Sequence, residues 1–373
     1  MEQTKFWVAF NAIQGIGSVR LQKLAAFFPD LSTAWYARRD ELLASGLPER
    51  VCDGFIAARK QIDPDQVLES VYKLGVEVIT LEDDLYPRRL KEINNPPPLL
   101  FLKGEYIPTD EWAVAIVGTR KVSSYGKQVT QELAEFLVAH DITIVSGLAR
   151  GVDALAHQTA LQHSGRTIAV LGCGVDVVYP PEHRELSAKI EKEGVLISDY
   201  FPGTPPESVN FPPRNRIISG LSLATIVVEA GSKSGALITA TYAAEQGRDV
   251  FALPGSIYAQ QSKGTNQLIA EGATPLLNFE LILDNLNIRQ DTIFEKPRTL
   301  TPENQIEEQI LFAINDEASG IDEILHKTNI PVQTIAASLS LMELKGFVTQ
   351  VEGGKYRISH GKSIVKRKTE NES

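Results

Sequence analysis

Apolar residues recur at three- and four-residue spacing from Phe6 to about Tyr72, the period of one helical face, with breaks at Pro29, Gly46 and Pro64. After that the period changes. Val76-Glu77-Val78-Ile79-Thr80-Leu81 reads as a strand, and Pro96-Pro97-Pro98 holds the chain extended. From Trp112 to about Asn285 short β-branched runs alternate with longer helical stretches. The expected strands are Val114–Val117, Ile142–Val145, Thr167–Leu171, Val195–Ser198, Ala224–Val228 and Val250–Leu253. The expected helices are Lys127–His140, Asp153–His163, Glu182–Glu193, Arg214–Ser219, Gly235–Gln246 and Thr265–Glu271. Such alternation predicts an α/β fold, a doubly wound and mostly parallel sheet covered on both faces. Ligands of such sheets sit beyond the carboxyl ends of the strands, so the loops there carry the chemistry.

The remainder divides by composition. Residues 1–75 form a small helical module in which Gly15-Ile16-Gly17-Ser18 and Gly46-Leu47-Pro48 each open an apolar stretch. The pattern resembles a degenerate helix-hairpin-helix or sterile-alpha-motif module, and an ordinary helical domain fits it equally well. Residues 76–286 hold the sheet, and 287–303 are polar, contain two prolines and read as a linker. Residues 304–360 give three helical stretches, Asn304–Ile314, Ile321–Thr328 and Val332–Leu344, followed by two short strands around Gly353-Gly354, a winged-helix pattern. The third helix offers Gln, Thr and Ser where a duplex reader presents Arg, Lys or Asn, so a docking or regulatory wing is expected. Residues 361–373 form a basic tail, with Lys362, Lys366, Arg367 and Lys368, expected to be flexible.

Composition narrows the function. The 373 residues are 43% hydrophobic and 23% charged, as in a globular protein, and lack a secretory leader or a transmembrane run, so a cytoplasmic protein with no membrane partner is expected. Cys52 and Cys173 stand alone, without metal-ligand spacing, so neither a disulfide nor a metal site is expected. A net charge of -10 argues against a broad basic face for duplex DNA but allows a local cluster that grips phosphate.

Five loops supply such clusters. Gly118-Thr119-Arg120 follows the first of the six strands and leads to a helix start at Ser123-Ser124; glycine admits a ligand to the backbone, and helix starts present free N–H groups. The second loop, from Ser146 and Gly147 through Arg150 and Gly151 to Asp153, repeats that chemistry. Asp153 and His157 admit a catalytic pair or a helix cap; capping accounts for the Asp, and no nucleophile is arranged to use the pair. Gly172-Cys173-Gly174 is a lone GxG, and Tyr179 beyond it is either a base-stacking ring or a packed loop aromatic. Arg214, Asn215 and Arg216 form a dense donor cluster after Pro212-Pro213, with no acid between Val209 and Ile218. The fifth loop, Glu229 to Gly235, contains Lys233 and Ser234, yet its order is not that of a P-loop, and no dinucleotide fingerprint is present, so no cofactor is expected.

Together these motifs resemble the DNA-processing protein A family, also called Smf: VGTR at Val117–Arg120, SGLARGVDALAH at Ser146–His157, FPPRNRIISGLS at Phe211–Ser222, EAGSKSGALITA at Glu229–Ala240 and ALPG at Ala252–Gly255. The resemblance implies an extended Rossmann-like core that binds single-stranded DNA, self-associates as a homodimer and loads the recombinase RecA during natural transformation. It implies a binding protein, not an enzyme. His183 stands where the family pattern leads one to expect Asn. The expectation is that Gly118, Thr119, Arg120, Ser146, Gly147, Arg150, Gly151, Arg214, Asn215, Arg216, Lys233, Ser234 and Gly235 line one pocket for the DNA backbone, sequence-tolerant and salt-sensitive. The alternative is a nucleoside monophosphate phosphoribohydrolase on a related sheet, although its PGGxGT loop is replaced here by Glu229-Ala230-Gly231-Ser232-Lys233-Ser234-Gly235.

Overall fold

The computed structural model describes residues 3–286, 305–314, 320–328, 330–344, 348–351 and 355–358, and the chain separates into two compact units, Met1–Arg289 and Gln290–Ser373. The expected linker, the basic tail and the Gly353-Gly354 turn lie outside the described residues.

The first unit opens with α1 (Thr4–Asn11), α2 (Ser18–Phe27), α3 (Leu31–Tyr36), α4 (Arg39–Ala44), α5 (Glu49–Ala58) and α6 (Pro64–Lys73). Phe10, Trp35 and Phe55 meet at their centre, with ring centroids 5.0–5.4 Å apart. Each fully buried ring or Leu contributes roughly 1.5–3 kcal/mol. The same apolar cluster runs on into Leu99, Phe101, Leu171 and Leu196 of the sheet region, so the helices and the sheet share a continuous core.

The strands are β1 (Glu77–Thr80), β2 (Leu99–Gly104), β3 (Ala113–Val117), β4 (Thr143–Ser146), β5 (Thr167–Val170), β6 (Val195–Ser198), β7 (Ala224–Val227), β8 (Asp249–Ala252) and β9 (Thr274–Pro275). They line up as β1-β2-β6-β5-β4-β3-β7-β8-β9. From β6 to β9 the pairing is parallel, while β1 and β2 join antiparallel at the β6 edge. The sheet is thus Rossmann-like and mostly parallel, and it extends beyond the six strands expected between Trp112 and Asn285. The helices are α7 (Arg88–Lys91), α8 (Ser124–Ala139), α9 (Val152–Gln162), α10 (Arg184–Glu193), α11 (Phe211–Gly220), α12 (Gly235–Glu245), α13 (Lys263–Ala270) and α14 (Glu280–Asn285). They explain why the strands are apolar throughout. In β3, Ala113, Ala115 and Val117 enter one core layer and Val114 and Ile116 the other, the period of two expected of a strand covered on both faces.

The second unit contains α15 (Gln305–Ile314), α16 (Ile321–Thr328), α17 (Val332–Leu344) and the antiparallel pair β10 (Val348–Val351) and β11 (Lys355–Ile358). Ile310, Ile314, Ile324, Ile335, Leu339 and Val348 form its core, and three helices with a β-pair make a winged helix. Among the described residues no helix is long and apolar enough to cross a membrane, and no cluster of His, Cys, Asp and Glu could hold a metal.

Candidate functional site

From β3 the chain continues to β4 on one side of the sheet, whereas β7 leads to β8 on the other, so the β3/β7 boundary is the topological switch point where the loops part. A cleft of about 870 Å³ opens there. Gly118, Thr119, Arg120, Arg214, Asn215, Lys233, Ser234 and Gly235 contribute to its walls. These come from three of the loops read in the sequence, brought together by β3, β7 and α11.

Glycine-mediated close approach holds the loops together. Thr119 N–H donates to the Glu229 carbonyl at 2.7 Å, tying the β3 loop to the β7 loop, and Val152 N–H donates to the Thr119 carbonyl at 3.3 Å. Gly151 sits at φ +80°, and a Cβ there would lie 2.3 Å from the Thr119 carbonyl oxygen and 2.9 Å from the Arg120 Cα. Only glycine combines that left-handed backbone with so close a neighbour. The Glu229 carboxylate accepts from Ser123 N–H at 2.9 Å and from its hydroxyl at 2.5 Å, and Ser123 in turn caps α8 through Gly126 N–H. The acid in the fifth loop therefore fixes the start of α8. On the other wall Ser234 caps α12, accepting from Ala236 N–H at 3.3 Å, and Asn215 donates to the Gly235 carbonyl.

Arg214 is only 5% exposed. Its guanidinium donates to the carbonyls of Gly147, at 3.1 Å, and Val170, and to Asn215 Oδ1 at 3.2 Å. It thereby joins the ends of β4 and β5 to α11. A Cβ on Gly147 would lie 2.8 Å from Arg214 Nη2 and 2.9 Å from Asp153 Oδ2, so glycine leaves room for this cation and carboxylate to face each other. Asp153 accepts from Gly147 N–H at 3.1 Å and Ala149 N–H at 3.4 Å. Burial pushes its carboxyl above the usual range, opposed by the Arg214 charge and the two amides. Burial likewise lowers Arg214, with Asp153 acting in the opposite sense. The partner that the sequence around Arg214 lacks is supplied by distant loops.

The remaining cations differ. Arg120 and Lys233 are exposed and line the cleft, and neither makes a side-chain hydrogen bond or ion pair within the described residues. Arg150 pairs with Glu182 on the surface and borders a narrow side recess with Arg120, Gly147 and Arg214. Arg216 faces away, donating to Asp199 at 2.7 Å and the Asn95 carbonyl at 3.0 Å, in a separate cavity of about 1310 Å³ bordered by the amino-terminal helices. Ser146 is buried, its hydroxyl on the Ile116 carbonyl at 2.6 Å. Gly147 borders the side recess, and Gly151 lies behind the Arg120 loop. Of the thirteen expected residues, then, eight share the main cleft and five do not wall it, because alternate residues of one loop or helix point to different sides.

Asp153 and His157 do not form a pair. His157 Nδ1 meets the Thr167 hydroxyl at 2.6 Å, and burial, with the His183 and Arg214 charges, lowers its pKa to about 3. Asp153 does not cap α9; it braces the preceding loop, and Gly151 occupies the cap position. His183 Nδ1 meets the Leu148 carbonyl at 2.9 Å, tying its turn to the second loop. Tyr179 lines the cleft with its ring against Phe211, centroids 5.5 Å apart. Sequence reasoning missed Ser208, Ile238 and Gln260 as wall residues. Ile238 had a signal, since it follows the Lys233 loop by little more than a helical turn; Gln260 had none.

The DNA recombination-mediator protein A family model matches residues 77–287, and the DprA winged helix domain model matches 294–354. The chain is 38% identical to Protein Smf from Synechocystis sp., covering 94% of this chain and 98% of that protein. It is similar to the X-ray structure of DNA processing protein A from Streptococcus pneumoniae, with TM-score 0.67, 35% identity, and 75% of this chain and 97% of that one covered. The same protein from Helicobacter pylori, whose structure is described for its single-stranded DNA binding mode, aligns with TM-score 0.52 and 32% identity over 57% of this chain and 96% of that one.

Proposed function

Because the chain belongs to the DNA recombination-mediator protein A family, we propose that the switch-point cleft grips the sugar–phosphate backbone of single-stranded DNA. The observation that carries this reading is the presence of two exposed cations, Arg120 and Lys233, with no side-chain hydrogen bond or ion pair among the described residues, in the same cleft as the α12 start. A planar guanidinium suits bidentate phosphate contact, the ammonium adds a point charge, and a helix start adds free N–H groups. Arg214 supports the cleft from beneath as a buried brace. Backbone contacts read little base identity, so binding is sequence-tolerant and weakens with salt.

Further proposals follow the family resemblance: the cytoplasmic protein self-associates as a homodimer through the Rossmann-like unit, protects incoming DNA and loads RecA in natural transformation. It acts by binding, without catalysis. Glu229, the acid nearest the place of a phosphoribohydrolase loop, is engaged by Ser123.

The test titrates a labelled oligonucleotide into the full chain at two salt concentrations, beside Arg120→Ala and Lys233→Ala. Each variant is expected to bind roughly tenfold more weakly, with a salt dependence flatter by about 0.7 per lost phosphate contact. Equal affinity in parent and variants overturns the assignment. Release of free base from nucleoside monophosphates would favour the phosphoribohydrolase instead. Light scattering and RecA filament assembly on coated single strands check the dimer and the loading step.

A further inference from the structure

We infer that the Ile257–Tyr258 tip is a base-stacking platform beside the phosphate cleft; this rests on the cleft's binding single-stranded DNA. Ile257 is 73% and Tyr258 87% exposed, two large apolar side chains side by side in water. Their loop is nonetheless held at both ends. Ala230 N–H donates to the Gln261 carbonyl and Gly264 N–H to the Ala230 carbonyl, both at 2.7 Å. Asn266 brackets Gly255, accepting from its N–H at 3.2 Å and donating to its carbonyl at 2.9 Å. The Tyr125 hydroxyl donates to the Pro254 carbonyl at 3.3 Å. A tip held in this way presents its two side chains without a large ordering cost on binding.

The tip lies next to the cleft. Ala230, to which the loop is pinned, directly precedes the Lys233 loop, and Gln260, in the cleft wall, is two residues from Tyr258, a Cα separation of at most about 8 Å. Ile238, half-exposed in the cleft wall, adds a further apolar surface on the first turn of α12. Phosphates held by Arg120 and Lys233 leave the bases of a single strand to find apolar faces nearby, which duplex DNA keeps stacked on one another. Tyr179, the aromatic singled out in the sequence, has its ring against Phe211, whereas Tyr258 is almost fully exposed and its ring is accessible to a base. Every base has a π-face, so such stacking is sequence-tolerant.

The experiment uses the full chain, an oligothymidylate, and an equally long oligonucleotide of abasic sites, with the parent, Arg120→Ala, Tyr258→Ala and Tyr258→Trp. Tyr258→Ala is expected to weaken oligothymidylate binding roughly 5- to 100-fold, leave the salt slope unchanged, and bind the abasic strand as the parent does. Tyr258→Trp is expected to bind as the parent with its indole fluorescence quenched by the bases. If Arg120→Ala weakens binding while Tyr258→Ala matches the parent on oligothymidylate, the platform is overturned and the phosphate cleft stands. If neither variant differs from the parent, or the parent fails to bind, both fall. Equal losses on both oligonucleotides, or a loss that accompanies conversion of a dimer to a monomer in sedimentation, overturn the platform in favour of a structural or self-association role.

Discussion

Arg214→Met separates a brace from a phosphate ligand. The thioether fills part of the volume but leaves the Gly147 and Val170 carbonyls without their donor and Asp153 buried beside no cation. Each buried carbonyl left without its donor costs about 1–3 kcal/mol, about 3–5 kcal/mol for the two together. For a unit of this size each kcal/mol shifts the midpoint by roughly 2–4 °C, so thermal unfolding by circular dichroism should move down by about 10 °C. The loss depends on pH. Asp153 is raised in the fold, so at intermediate pH the folded state binds a proton that the unfolded chain has released, and this group's contribution falls as pH rises. Without the guanidinium the carboxyl rises further. The deficit of Arg214→Met relative to the parent is therefore larger at neutral than at acidic pH. Arg120→Ala, by contrast, should unfold with the parent, since its side chain makes no hydrogen bond or ion pair among the described residues. An Arg214→Met protein with parental stability at neutral pH, but weakened DNA binding, would refute the brace and make Arg214 a direct ligand.

Gly151→Ala forces a left-handed alanine and a Cβ into the Thr119 carbonyl; about 2–4 kcal/mol of destabilisation is expected, with weaker oligonucleotide binding because the Arg120 loop must retreat. Denaturant titration and the binding assay check both effects, and a parental result in either would show that the two loops are not locked at this point. Cys173 is buried, and burial pushes its thiol up to about 11, so under native conditions at pH 8 it should resist alkylation and react after unfolding; mass spectrometry reads the outcome.

Much of the sheet was legible because its signal is local. The β-branched runs of β3 to β8 alternate with helical periods, and a strand covered on both faces must be apolar throughout. β2 and β9 were not, since Leu99–Gly104 follows a proline run and reads as a passage, and Thr274–Pro275 is too short to show a period. What makes them strands is pairing with β6 and β8, a contact between distant segments.

At the site the sequence by itself determined the chemistry: which loops carry glycine, cation and helix start, and in what order they follow the strands. Only the tertiary structure decided which cations remain available. Arg120, Arg214 and Arg216 are the same residue type in similar glycine- and proline-rich contexts, yet one faces the cleft, one lies beneath it holding two strand ends, and one turns to Asp199. The physical reason is that a side chain's freedom depends on the carbonyls and carboxylates that other segments bring within hydrogen-bonding reach, and those arrive only with the packed sheet.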